Sequence, residues 1–258
     1  MQFGYEQQFH PDYSWKERLY IRLFGMPIIG LQIRARNIFS LIPSHREYNR
    51  ILDAGSGEGV LSFELARRFE EAQVYGIDIE DKAVSAASWI AEKIKMENIT
   101  FQKENIETIR ADKGFDLIVC VDILEHIDND DNAIRQLHSV LSEEGVLVLH
   151  VPSLFRRYPV WKKQLNFEVP THVRSGYVIK DIQEKLSVAG FSIMESGYTY
   201  GFFETLSNNL SYMITRANKE NKLIYALAFP ILNLLSMIGQ GARPSTLGAG
   251  LFIIASKH

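Results

Sequence analysis

The chain has a single cysteine among 258 residues, so no internal disulfide can form. Cys120 lies in the apolar run Phe115 to Val121, where a buried, inert thiol is the natural reading. Such sparing use of cysteine fits a reducing compartment. The opening Met-Gln-Phe-Gly-Tyr-Glu lacks the basic and then apolar pattern of a secretory signal, and the expectation is a cytoplasmic protein. No segment reads as a confident membrane span: the nearest candidate, residues 223–239, has 17 residues interrupted by Pro230 and Asn233, too short and too broken to cross a bilayer. A basic run interleaved with aromatics is also missing, which argues against a nucleic-acid partner. Internal repeats and low-complexity segments are absent as well.

What is present is an ordinary globular composition, 46% hydrophobic and 23% charged, in a chain long enough to bury a full mixed sheet plus an appendage. Charge is unevenly spread. Residues 1–50 carry seven Lys/Arg against four Asp/Glu, and residues 205–258 carry five against one, so a net charge of -3 leaves -10 in the middle. The basic ends fit either contact with an anionic surface or ordinary solvated cations.

From residue 50 onward, short apolar runs alternate with longer amphipathic stretches, the pattern of a βα-repeating sheet. Strands are predicted at 50–54, 73–77, 99–102, 115–121 and 145–151, with helices at 59–69, 82–95 and 132–141 between them. A helix over 176–189, ended by Gly190, leads to a sixth strand that begins at Phe191. The final run, Gly250 to Ser256, is reached without a parallel-crossover repeat and is open to an antiparallel placement. About fifty residues, 198–248, precede it and predict a structured insertion. The resulting division is an N-terminal helical cap over 1–45, a core over 46–197 and 249–258, and a helical insertion over 198–248.

The first strand runs into Asp53-Ala54-Gly55-Ser56-Gly57-Glu58-Gly59 and then directly into a helix. Glycines there let the backbone approach a ligand closely. A dinucleotide fingerprint would need glycine at position 60, which is Val, and Asp53 would repel a pyrophosphate. The carboxylate instead suits a ligand bearing an ammonium or sulfonium group. Asp78, followed by Ile79, ends the second strand and suits a ribose diol, a device shared by nicotinamide and adenosylmethionine proteins. Asn105 and Ile106 follow the third strand where an adenine would lie, and Asp122 follows the fourth.

These motifs, with Phe-Asp-Leu-Ile-Val at 115–119 and Leu-Glu-His-Ile at 124–127, resemble class I S-adenosylmethionine-dependent methyltransferases of the type-11 kind, the broad group that includes ubiquinone-biosynthesis O-methyltransferases. Residues 51–151 carry the resemblance closely, and residues 176–194 are similar too. It implies a Rossmann-like α/β fold, a seven-stranded mostly parallel sheet with its last strand antiparallel, and S-adenosyl-L-methionine across the carboxyl ends of strands one to four. Asp53, Gly55, Ser56, Gly57, Asp78, Ile79, Asn105, Ile106 and Asp122 are its expected contacts, and Asn105 stands where the family commonly has Asp. Arg36 is a candidate partner for the methionine carboxylate.

Methyl transfer to oxygen needs an oriented acceptor and a base for its proton, and histidine suits the second task. His172 and His126 are the candidates, whereas His150, inside a strand, reads as packing. Asp122, Glu125, His126 and His172 together resemble a divalent-ion site, but Asp122 reaches less far than the Glu of metal-binding relatives, and the expectation is an enzyme without a metal. Residues 15–42 predict a lid helix, and the apolar stretch 223–239 a buried cap or a surface-seated helix. With the basic ends, these point to a small, hydrophobic or lipid-like acceptor and to peripheral membrane contact. The leading function is therefore O-methylation. N- or C-methylation of a small molecule or glycan, and non-catalytic cofactor binding, are the alternatives.

Overall fold

A computed structural model describes residues 2–109, 114–158, 162–167, 171–217, 222–239, 244 and 246–257. Two helices precede the sheet, α1 (Trp15–Phe24) and α2 (Ile29–Leu41), after a 3-10 turn at Tyr5–Phe9. The single predicted lid helix is thus two. Gly25, at φ +71, lies between them and ends α1. Ser14 and Glu17 form a reciprocal capping box that fixes the start of α1.

The core alternates β1 (Arg50–Ala54), α3 (Val60–Arg68), β2 (Gln73–Asp78), α4 (Asp81–Ile94), β3 (Ile99–Lys103), β4 (Phe115–Val121), α5 (Asp130–Val140) and β5 (Leu141–Pro152). A small hairpin, β6 (Phe155–Arg157) with β7 (Lys163–Leu165), follows, then α6 (Ile179–Val188), β8 (Phe191–Thr199), α7 (Phe202–Ala217), α8 (Lys222–Ile238) and β9 (Gly250–Lys257). β5 begins four residues before its predicted start, and its pairing with β4 shifts register between Phe115 and Leu117. The polar Ser142-Glu143-Glu144 stretch hid that extension. Helix α5 starts at Asp130, two residues early, because Asn129 accepts the Asn132 N–H at 3.2 Å and caps it.

One seven-stranded sheet has the order β3-β2-β1-β4-β5-β9-β8, and β9 is antiparallel to both neighbours. Both faces of the sheet carry an apolar cluster. One buries Leu52, Ile118, Leu147 and Ile253 against α5 and α6, and the other buries Ile51, Leu117, Val148 and Phe252 with residues of α2, α3 and α4. That double covering explains the near-continuous apolar strands. The chain order reverses between β1 and β4, and the crevice beyond their carboxyl ends is where such sheets hold ligands. Helices α2, α7 and α8 share a third apolar cluster built on Ile29, Ile33, Tyr200, Phe229 and Leu232. No helix among the described residues is long and apolar enough to cross a membrane.

Candidate active site

After β1 the backbone turns through Gly55 and Gly57 with φ of +86° and +52°. The N–H groups of Gly55 and Ser56 both donate to the Ile77 carbonyl, at 2.8 and 2.9 Å, which ties the loop to β2. A Cβ on Gly55 would lie 2.2 Å from Ile123, whereas one on Gly57 would meet nothing within 4 Å. The loop therefore presses against the β4 side at one glycine and faces open space at the other, as a ligand cradle must.

Asp78 stands at the rim. Its Oδ2 accepts the Gly57 N–H at 2.8 Å and its Oδ1 the Glu80 N–H at 2.9 Å, so the carboxylate is aimed by backbone. A cavity of about 650 Å³ opens beside it, walled by Gly55, Asp78, Ile79, Asn105, Ile106 and His126 among others, a size suited to a nucleoside-like ligand. Glu80, Glu104, Glu107 and Asp128 also line it, with no Lys or Arg among the described residues. So acidic a wall favours a cationic ligand over a polyphosphate. The Asn105 side-chain carbonyl accepts the Glu107 N–H at 2.8 Å, capping a short 3-10 turn.

Asp53 sits behind the loop and outside the cavity wall. It is buried and accepts from Ser62 Oγ at 2.5 Å. Burial pushes its carboxyl up to about 6, against the Ser62 hydrogen bond, with the charge of Asp78 adding to the rise. Ser56 lies on the loop's other side, in a smaller cleft shared with Gly57 and Arg34. Arg36 is in a different place from the one expected. Its guanidinium donates to Asn233 Oδ1 at 3.0 Å and to Ser236 Oγ, both on α8. Two residues along a helix rotate a side chain by about 200°, so Arg34, not Arg36, faces the glycine loop.

A second cavity of about 350 Å³ shares His126 with the first and adds Arg34, Asp122, Glu125, His150, Arg156, Asn166, His172, Tyr200 and Asn208. Asp122 belongs here and not to the first cavity's wall. It adopts φ +53°, and its carboxylate bridges His150 Nδ1 at 2.6 Å and Arg34 Nε at 3.1 Å. Burial opposes its ionisation, but Arg34 and His150 outweigh that and hold the carboxyl below its usual range. His150 Nε2 lies 2.9 Å from Thr199 Oγ1. The strand histidine read as packing thus joins β4, β5 and β8 through a polar chain. Glu125 is the reverse case: burial, then Asp122, push it up to about 9, so it is neutral at pH 7.

His126 Nδ1 lies 2.9 Å from the Thr171 carbonyl. A carbonyl only accepts, so Nδ1 carries the proton and Nε2 of the neutral ring keeps its lone pair. His172 packs edge-on against it with centroids 4.5 Å apart. Burial, followed by His126, lowers the His172 pKa against the opposing pull of Asp122. Glu125, His126 and His172 bring ligand atoms within 4.8 Å of one another and could hold a divalent ion. Asp122, the fourth residue once grouped with them, is committed to Arg34 and His150.

A sequence profile described as a methyltransferase domain matches residues 45–218, two thirds of the chain. The chain belongs to the methyltransferase-domain family. The cofactor of such a domain is S-adenosyl-L-methionine, and the glycine cradle, the aimed carboxylate and the acidic cavity fit that ligand. The ubiquinone biosynthesis O-methyltransferase of Albidiferax ferrireducens is 31% identical over 98 residues, which cover 37% of this chain and 38% of that protein. The alignment thus spans well under half of the curated relative's length. Among solved structures, a phosphoethanolamine N-methyltransferase 2 of Haemonchus contortus aligns with 98% of the chain and 60% of its own, at TM-score 0.63 and 16% identity. An O-methyltransferase from a Brevibacillus brevis multienzyme, covering 99% of this chain and 80% of its own, gives 0.60 at 15% identity. At these identities the chain shares their fold.

Proposed function

We propose that the protein methylates a hydroxyl group on a small amphiphilic acceptor, with His126 as the general base. The position of His126 carries this reading: it is a wall of both cavities, and its Nδ1 is held by Thr171, which leaves Nε2 to take a proton. When bound, S-adenosyl-L-methionine supplies a methyl group on a sulfonium that is already a good leaving group. The chain's own tasks are then to hold, orient and deprotonate. Asp78 would take the ribose diol, Ile79 and Ile106 would flank the base, Asn105 would meet the adenine amine, and Gly55 and Gly57 would admit the cofactor's close approach. Asp122 and Arg34 would orient the acceptor beside His126. His172, packed on His126, would keep that ring in place or take the proton itself.

An apolar portion of the acceptor is supported by the surface above. Helix α8 exposes Ile224, Leu227, Ile231, Leu234 and Ile238, and α1 exposes Trp15, Leu19 and Leu23. The two helices meet where Tyr20 Oη donates to the Ala226 carbonyl at 2.5 Å. Lys16, Arg18 and Arg22 accompany the α1 residues, a combination that suits an anionic lipid surface.

Isothermal titration with S-adenosylhomocysteine tests the cofactor site, and no binding would sink the whole reading. Radiolabelled methyl transfer into lipid and aqueous extracts tests the acceptor. Label confined to freely water-soluble products would defeat the amphiphile. Sedimentation with vesicles containing phosphatidylserine should carry the protein down, whereas a shift to dimers without vesicle binding would assign the α8 stripe to a second copy of the chain.

A further inference from the structure

The acceptor cavity contains two arginines in different electrostatic situations. Arg34 is paired with Asp122. Arg156, on β6, is only 6% exposed, and among the described residues no carboxylate pairs with it. Its Nη2 donates to Asn209 Oδ1 at 2.7 Å and its Nη1 reaches Asn166 Oδ1 at 3.4 Å. Both are neutral acceptors. The guanidinium carbon lies 4.3 Å from the centroid of the Phe167 ring, and that ring stacks on Tyr212 at 4.1 Å. Nε is buried with no partner at all.

The surroundings hold this cation rigidly. Asn166 Nδ2 donates to the Ser153 carbonyl at 3.0 Å and Asn209 Nδ2 to the Arg157 carbonyl at 3.0 Å, so both amide oxygens are turned toward Arg156 by backbone contacts. Buried charges are normally paired, and a buried cation without a counter-ion is costly. A guanidinium fixed by two neutral amides and one aromatic face, on the wall of a cavity and with no counter-ion among the described residues, is a receptor for an anion. Its planar fork matches carboxylate and phosphate oxygens. Asn208 and Tyr200 line the same cavity and offer further polar contacts.

Taking this cavity as the acceptor site, as argued above, we propose that Arg156 anchors an anionic group of the acceptor, a carboxylate or a phosphate. The methylated hydroxyl belongs to a molecule with a negatively charged head, and a cavity of about 350 Å³ admits that head and not a whole lipid. Arg156 sets specificity and leaves the cofactor site untouched.

The test compares wild type, Arg156→Gln and Arg156→Lys. S-adenosylhomocysteine affinity, measured first, should be equal in all three, and failure to bind it would count against the cofactor reading alone. Inorganic phosphate and malonate are then titrated separately, with binding followed by calorimetry. At least one should bind wild type, about tenfold or more weaker in Arg156→Gln, as expected for a lost charged hydrogen bond, with partial recovery in Arg156→Lys. The anion that responds distinguishes a phosphate from a carboxylate head. Equal affinity in wild type and Arg156→Gln, or binding of neither anion, overturns the proposal. If Arg156→Gln does not fold, Asn208→Ala carries the comparison, with a threefold or greater weakening of about that order expected and no change refuting it. In labelled extracts the product should be retained on an anion exchanger at pH 8, and label in the flow-through would refute an anionic acceptor.

Discussion

Glu125→Gln should stabilise the protein, and more so as pH rises. Glu125 is 1% exposed, its Oε2 is buried without a partner, and burial with Asp122 nearby pushes its pKa from 4.5 up to about 9. Its folded pKa is raised above the unfolded value. The native state is therefore unpenalised below pH 4.5 and loses stability progressively as pH climbs toward 9. Each pH unit in that window costs about 1.4 kcal/mol, so keeping the carboxyl protonated at pH 7 costs about 3 kcal/mol. Glutamine has nearly the same shape and never ionises, so the variant escapes this cost. Urea denaturation of both proteins, in EDTA and from pH 5.5 to 8.5, should show the variant ahead by about 1 kcal/mol at the acid end, with the gap widening steadily to about 5 kcal/mol at pH 8.5. Parallel curves, or a variant less stable than wild type at pH 8, would refute the assignment of a neutral buried Glu125.

Replacing His126 with Ala should lower turnover by about 10²-fold or more while S-adenosylhomocysteine affinity stays put. Undiminished turnover would move the base to His172. Gly55→Ala should unfold or severely destabilise the protein, because its Cβ would meet Ile123 at 2.2 Å, whereas Gly57→Ala should cost about 1 kcal/mol of stability and weaken cofactor binding, both measurable by thermal melts with and without ligand. Arg36→Ala should destabilise by about 2–4 kcal/mol, since it strands Asn233 and Ser236, with increased proteolysis of α8 as the check. Methyl transfer is expected to survive EDTA, because Asp122 is engaged elsewhere. Loss on chelation with recovery in Mg²⁺ would place an ion on Glu125, His126 and His172.

The sheet could be read from the chain because parallel strands covered on both faces leave unbroken apolar runs, and Gly55 to Gly59 mark where the first of them turns. Arg34 and Arg36 could not be told apart the same way. Helix α2 buries Ile29, Gln32, Ile33, Ala35, Arg36, Asn37 and Ile38, so its surroundings on nearly every side are protein, and no polar stripe shows which arginine meets the ligand. The same double covering disguised His150. On a strand with no solvent face, period-two alternation carries no information, and its partners Asp122 and Thr199 lie 28 and 49 residues away. Arg156 was missed because a three-residue strand has no periodicity to detect. In the sequence it is one of two adjacent arginines, Arg156 and Arg157, between Phe155 and Tyr158, with nothing to mark which of them is buried.

The link between Arg36 and α8 joins residues 197 and 200 positions apart, and Tyr20 reaches Ala226 across 206. Contacts so distant along the chain form late, because a long loop must close before they give any return. Strand β9 adds to the delay, since it slots between β5 and β8 only after both α7 and α8 have been traversed. During synthesis the glycine loop and Asp78 come off the ribosome together, long before β9. The chamber around Arg156 and His126 lacks part of its wall until Ala249 has been made. The parts assigned to the methyl donor are thus synthesised well ahead of the last of those assigned to the acceptor.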